Sequence, residues 1–355
     1  MGRHRSLLTG LAIALALFSM SKKRGATINI ALGVADAEES VDGPRISSTG
    51  LATPHRPCWI FNHLNKAGGS TVKYMLKPWA EKYKISLGQY DSREWQGGPE
   101  AARQYLQNNS IITWGAYTEG LRPYVGQDCK WFTIFRHPVE RLVSAYFYCK
   151  KSPKDGMCAT TVLRADEVDL VTFARHWGNF GLRQFLYGDI AVADVDASQV
   201  DDPLPESGKR HPGWWEMKRY LERLAVNSST VAAAAAMSAE TLTSVEYPIL
   251  KTFLAQVKKR LNEQYDAVGL IEDWPTTLRL FNASLQLPNY DWKSSYHSVG
   301  NKNINHAFLD EAGIALQAAR ADPDIQEFIR LDILLYEHAV EVHAKHLKEY
   351  GIGDD

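Results

Sequence analysis

Two well-separated segments hold the side chains best suited to gripping anions: Asn62-His63-Leu64-Asn65-Lys66-Ala67-Gly68-Gly69-Ser70-Thr71 and Phe135-Arg136-His137-Pro138-Val139-Glu140-Arg141-Leu142-Val143-Ser144-Ala145-Tyr146. In the first, Lys66 supplies a mobile ammonium, and Ser70 and Thr71 supply hydroxyl donors. Gly68 and Gly69 allow a close backbone approach that a side chain would block. A helix opening there would aim its unpaired N–H groups and its positive dipole end at the same anion. An ordinary turn with a helix cap uses similar residues, so Lys66 to Thr71 alone leaves both readings open. In the second segment the guanidinium fork of Arg136 suits a phosphate bidentately, and Ser144, two helical turns on, can donate to the same group. Taken singly, Arg136 also reads as a surface ion pair and Ser144 as helix filler. In this order the two segments read as opposite ends of a site for a nucleotide phosphorylated at both its 5′ and 3′ positions.

Each segment follows an apolar run and opens an amphipathic helix. Cys58-Trp59-Ile60-Phe61 and Trp131-Phe132-Thr133-Ile134-Phe135 read as strands, the first covered on both faces. Val72, Met75, Leu76 and Trp79 fall on one helical face, as do Val139, Leu142, Val143 and Tyr146. Pro78 predicts a kink or an end to the first helix, and Pro138 suits the first turn of the second. Arg136 then stands at the strand-to-helix edge where open α/β sheets bind ligands. The architecture expected is α/β, a mostly parallel sheet with helices on both faces. Leu331, Leu334, Leu335 and His338 recur at helical spacing and predict a core-facing closing helix. Gly188 to Trp215 reads as a long loop, either a lid or acceptor wall or plain surface disorder. Val231 to Met237, nearly all alanine, predicts a helix without chemistry.

Lys-x-Gly-Gly-Ser-Thr after the first strand, with Arg-x-Pro-x-x-Arg-x-x-Ser-x-Tyr after a later one, resembles the sulfotransferases that use 3′-phosphoadenosine 5′-phosphosulfate (PAPS). It looks most like the Golgi carbohydrate branch, which includes the heparan sulfate and uronyl 2-O-sulfotransferases. Weaker likeness extends to Val268-Gly269-Leu270-Ile271-Glu272, to Lys302 and to Asp332-Ile333-Leu334-Leu335-Tyr336, so it spans about residues 56 to 345. The resemblance implies a P-loop-like three-layer α/β fold in a single lumenal domain. It implies transfer of a sulfuryl group from PAPS to a carbohydrate hydroxyl, releasing adenosine 3′,5′-bisphosphate, with no metal. Lys66, Ala67, Gly68, Gly69, Ser70 and Thr71 would hold the 5′-phosphosulfate, and Arg136 and Ser144 the 3′-phosphate.

The acceptor hydroxyl needs a general base. In the 2-O branch this is a histidine of a His-Gly-His segment upstream of the second motif. Here Thr113-Trp114-Gly115-Ala116-Tyr117-Thr118-Glu119-Gly120-Leu121 stands in that place, without either histidine. Glu119 is the first substitute, since other branches use a glutamate, and a solvated surface carboxylate is its plainer reading. His63 is the second, with a hydrogen-bonded structural histidine as the alternative, and His137 reads as structural. The departure leaves two further readings, a catalytically impaired glycan-binding protein of the same fold and a P-loop nucleotide kinase. Against the kinase, the lysine precedes the glycines, whereas the Walker pattern places Gly-Lys-Ser/Thr at the helix start.

Over 355 residues, 45% apolar and 23% charged content suits one large globular domain, and a net charge of −1 gives no reason to expect nucleic acid as a partner. Leu7 to Met20, flanked by basic residues, is apolar for about 14 residues, short of the roughly 20 that span a bilayer comfortably. The expected organisation is a cytosolic tail (1–6), a signal anchor or cleaved signal peptide (7–21), a stem (22–55) and a sulfotransferase domain (56–348). This implies a single-pass type II protein of the Golgi membrane with a lumenal domain, or a secreted one. Sequons at Asn108, Asn227 and Asn282 are compatible with that route. Cys149 and Cys158 flank a polar loop and form the favoured pair; Cys58 and Cys129 can meet if their strands are neighbours; four buried thiols are the alternative. The eleven histidines show no metal spacing, and His343 and His346 are expected to be exposed.

Overall fold

Bulky apolar side chains alternate along β1 (Cys58–Asn62), Trp59 and Phe61 toward one cluster and Ile60 toward another, so this strand lies between two layers. The computed structural model describes residues 58–90, 98–108, 112–125, 129–153, 155, 158, 165–185, 253–299 and 309–353. All lie within one compact unit, His55–Asp355. The expected tail, anchor and stem, the loop Gly188 to Trp215, the alanine run, Asn227 and Lys302 fall outside the described residues. Among the described residues no helix is long and apolar enough to cross a membrane.

Besides β1, the sheet contains β2 (Leu87–Gln89), β3 (Ile112–Gly115), β4 (Cys129–Phe135) and β5 (Ala267–Leu270), among the described residues five parallel strands in the order β2-β3-β1-β4-β5. From β1 the chain goes outward to β2, returns through β3, then continues on the other side as β4 and β5. The direction of winding therefore reverses between β1 and β4, the place where open parallel sheets leave a crevice beyond their carboxyl ends. A Cys58–Cys129 disulfide joins these two strands at paired register positions, 4.7 Å apart at Cα. The second disulfide, Cys149–Cys158, closes the polar loop as the spacing suggested.

Helices cover both faces. Against one lie α1 (Gly69–Lys82), α7 (Trp274–Leu285) and α8 (Trp292–Val299), whose Met75, Leu76, Phe281 and Trp292 pack on Phe61 and Phe132. Against the other lie α2 (Gly98–Asn108), α6 (253–264) and α11 (Arg330–Glu349). The apolar face of α3 (Pro138–Lys151) packs instead with α4 (Leu170–Trp177), α5 (Phe180–Phe185), α9 (Leu309–Ala321) and α10 (Pro323–Phe328). The expected α1 and α3 faces are all buried.

Of the two outcomes expected at Pro78, a kink or an end, the structure excludes the end: helix α1 runs on to Lys82. Pro78 lies on the exposed side, while Trp79 and Ala80 stay buried and the Trp79 indole donates to the Pro288 carbonyl at 3.0 Å. His343 and His346 are not exposed but 4% accessible each, because this face of α11 lies on β5. His343 Nδ1 is 2.7 Å from the Val268 carbonyl, and burial pushes both imidazoles toward lower pKa.

Candidate functional site

The end of β1 is fixed from three sides. The Asn62 carboxamide donates to the Tyr265 hydroxyl at 2.9 Å and accepts from Thr118 at 3.3 Å, and Thr133 donates to the Asn62 carbonyl at 2.8 Å. One residue on, His63 N–H donates to the Gly115 carbonyl at 3.0 Å. The chain then turns: Ala67 N–H meets the Leu64 carbonyl at 3.1 Å, Lys66 sits at φ 65°, and Gly68, at φ 87°, caps α1. Both glycines are needed. A Cβ on Gly69 would lie 1.8 Å from the His63 ring, and one on Gly68 would crowd Ile271 at 3.0 Å.

The first turn of α1 carries no acidic residue and no side-chain cap. Among the described residues no acceptor meets the amides of Gly68, Gly69 and Ser70, which lie at the positive end of a helix of 14 residues. Ala67 and Thr71 are buried, and their amides close the turn from within.

The β4 edge supplies the second cation. Arg136 is half-buried with Nε 3.6 Å from a Glu140 oxygen, while Arg320 also holds Glu140, at 2.9 Å. Ser144 is half-buried on α3. One turn beyond it, the Tyr148 ring lies under the Lys66 ammonium at 3.9 Å, and the Tyr148 hydroxyl donates to Asp155 at 2.9 Å. Burial lowers the Lys66 pKa to about 8, and the Arg136 charge adds to that effect, with Asp155 acting the other way. The two motifs thus share one edge, across the β1/β4 crevice.

On the β3 side, His63 lies near Phe61 and Trp114, at ring distances of 6.0 and 5.8 Å. Lys73 places its ammonium over the Trp114 ring at 4.3 Å. Burial first, then Lys66 and Lys73, lower the His63 pKa to about 4, so the imidazole is neutral at pH 7. A folded-state pKa below the unfolded one stabilises the protein above the unfolded value, and that gain is lost as pH falls. Between 6.5 and about 4 His63 alone should cost on the order of 3 kcal/mol, with His343 and His346 adding in the same direction. Urea midpoints measured from pH 7 to pH 4 should fall steadily, more so than in a His63→Phe variant. A flat profile would contradict neutral imidazoles at His63, His343 and His346.

Glu119 is neither a solvated surface carboxylate nor an open base. It is fully buried on a 3-10 turn (Thr118–Tyr124) that leaves the sheet edge, within a closed ion cluster. Arg122 donates Nε and Nη2 to its two oxygens at 2.9 and 2.8 Å, Arg260 donates at 3.2 Å, and the Tyr265 hydroxyl donates as well. Burial alone would raise its pKa; Arg122, Arg260 and Tyr265 outweigh that and hold the carboxyl below its ordinary value. Both of its oxygens are thus engaged by a cation or a hydroxyl. The His137 amide donates to Glu272 at 2.7 Å, and its ring stands near that of Tyr336 at 5.3 Å.

Sequence reasoning missed Lys73, Tyr148, Asp155, Tyr265 and Gln184. Only Tyr148 carried a signal, one helical turn from Ser144. Among the described residues no cluster of three metal-ligating side chains occurs. A scan against protein-family models gives no match to this chain, and a search of curated proteins gives none either.

Proposed function

We propose that this chain is a sulfotransferase that moves a sulfuryl group from PAPS to a carbohydrate hydroxyl, on a P-loop-like version of the parallel α/β fold. The observation that supports it most is the placing of Lys66 just after β1 and Arg136 just after β4, on the two sides of the crevice between these strands, with the unengaged amides of Gly68, Gly69 and Ser70 next to Lys66. Three sources of positive charge with a single nearby carboxylate for Lys66 suit a ligand anionic at two points.

In this reading the phosphosulfate lies on the Gly68–Ser70 amides and Lys66, with Thr71 closing the turn, and the 3′-phosphate lies on Arg136 and Ser144. The acceptor oxygen attacks sulfur in line as the sulfur–oxygen bond to the 5′-phosphate breaks. Its electron pair stays on that phosphate oxygen, where the Lys66 ammonium neutralises the developing charge. The acceptor proton passes to His63, which is neutral at working pH. Bound donor brings negative charge that offsets Lys66 and Lys73 and raises the basicity of His63 when it is needed. No step calls for a metal. The two disulfides support an oxidising compartment, so we place the domain in the Golgi lumen behind an anchor at 7–21, or secreted after its cleavage.

Purified protein incubated with PAPS carrying labelled sulfate and a panel of desulfated glycans should yield labelled glycan. His63→Ala should lower turnover about a hundredfold or more while leaving affinity for adenosine 3′,5′-bisphosphate within a few-fold. Arg136→Ala should chiefly weaken nucleotide binding. Tighter binding of ATP than of the bisphosphate would favour a nucleotide kinase. Nucleotide binding without sulfate reaching any acceptor or water would leave a glycan-binding protein of the same fold.

A further inference from the structure

Nothing in the anion loop itself explains why Lys66, which is not glycine, holds a left-handed conformation at φ 65°. The support comes from a residue far away in sequence. Gln184, 1% exposed on α5, lays its carboxamide across the loop backbone. Its Oε1 accepts from the Asn65 N–H at 3.0 Å, and its Nε2 donates to the His63 carbonyl at 3.4 Å. An N–H and a carbonyl facing one amide leave only one orientation of the carboxamide that satisfies both. With the His63 N–H already on Gly115, both backbone groups of His63 are held.

The helix carrying Gln184 is itself anchored. Asp332 of α11 accepts from the Gly181 and Leu182 amides at 3.1 and 2.7 Å, and pairs with the buried Arg141 of α3. Asn179 accepts from the Leu331 and Asp332 amides at 2.9 and 3.2 Å. Gly181 leaves no room for a side chain, since a Cβ there would lie 2.7 Å from the Arg141 guanidinium. One continuous path therefore joins α3, which carries Ser144 and Tyr148, through Arg141, Asp332 and α5 to the loop that carries His63 and Lys66.

We infer that Gln184 is the positioning residue of the anion loop: its carboxamide straddles Asn65, fixes the His63 carbonyl and sets the strained Lys66 against Tyr148 of α3. This role concerns the proposed nucleotide site and rests on that reading, yet two of its measurements need no nucleotide. Gln184→Met keeps the volume and removes both hydrogen bonds. The hydrogen-bonded loop amides of His63, Asn65 and Ala67 should then exchange with deuterium at least tenfold faster, with β1 and α3 unchanged. Lys66, titrated by pH-dependent acylation and mass spectrometry, should shift from about 8 toward the ordinary 10.5 as its ammonium leaves Tyr148 and Arg136. Should Gln184→Met fail to fold, Gln184→Asn, one methylene too short to reach both groups, takes its place with the same expectations.

Affinity for adenosine 3′,5′-bisphosphate should fall about tenfold in the variant, in step with those changes. A lower melting temperature with unchanged loop exchange and unchanged Lys66 titration would overturn the inference and leave Gln184 as core packing. A wild-type protein that binds no bisphosphate would defeat the nucleotide reading instead, while exchange and titration still decide the role of Gln184.

Discussion

Lys66→Ala is expected to cut sulfate transfer on the order of a thousandfold while weakening adenosine 3′,5′-bisphosphate by only about tenfold. The asymmetry follows from where the charge lies. In the proposed site Lys66 is one of several ground-state donors to the phosphosulfate, and removing it relieves repulsion with Arg136, which already helps to lower the Lys66 pKa. In the proposed transition state negative charge grows on the leaving phosphate oxygen, and the Lys66 ammonium is the group proposed to meet it. Folding should change little, because alanine at φ 65° carries the same left-handed strain as lysine. In the free protein Lys66 loses its proton as pH rises through about 8, so kcat/KM should decline above that value. A decline that persists in Lys66→Ala would assign it to another group. Retention of a tenth or more of the wild-type turnover by Lys66→Ala would remove charge neutralisation from the mechanism.

The parts of this site that could be read from sequence are those set by local rules. Glycines next to a lysine, a proline at a helix start and apolar residues at helical spacing each report on their own few neighbours. They suffice to place β1, α1, β4 and α3, and so Lys66 and Arg136 at one edge of a parallel sheet. Cys58 and Cys129 were legible only conditionally, since their pairing needs β1 beside β4, a fact of topology. Gln184 left no trace, because a glutamine amid apolar residues looks the same whether it faces water or clamps a loop far away in sequence. His343 and His346 misled for a related reason. Three residues apart on a terminal helix they resemble surface positions, and only the packing of α11 against β5 buries them. Lys73 shares the face of α1 that looks toward Trp114, a direction that depends on β3 lying next to β1.

Glu119 tests the same boundary most severely, since its burial and its partners Arg260 and Tyr265 come from the fold and not from its neighbours in sequence. Glu119→Gln should destabilise the protein by on the order of 3–5 kcal/mol, because Arg122 and Arg260 would keep their charge without the carboxylate between them. Tyr265 would lose its charged acceptor as well, loosening its hold on Asn62 at the end of β1. The pH dependence has a definite sign. A carboxyl held below its unfolded value contributes stability above that value, and this is lost as pH falls through the folded one. Thermal melts of Glu119→Gln should therefore show a large deficit at pH 7 that narrows toward pH 3. Below its melting temperature the folded variant should still transfer sulfate at a rate within a few-fold of wild type, since His63 and Lys66 remain in place. The opposite pattern, an unchanged melting temperature with turnover lost and bisphosphate affinity retained, would return the general base to Glu119. It would also mean that the buried arginines open during catalysis to release a carboxylate that the resting fold keeps fully engaged.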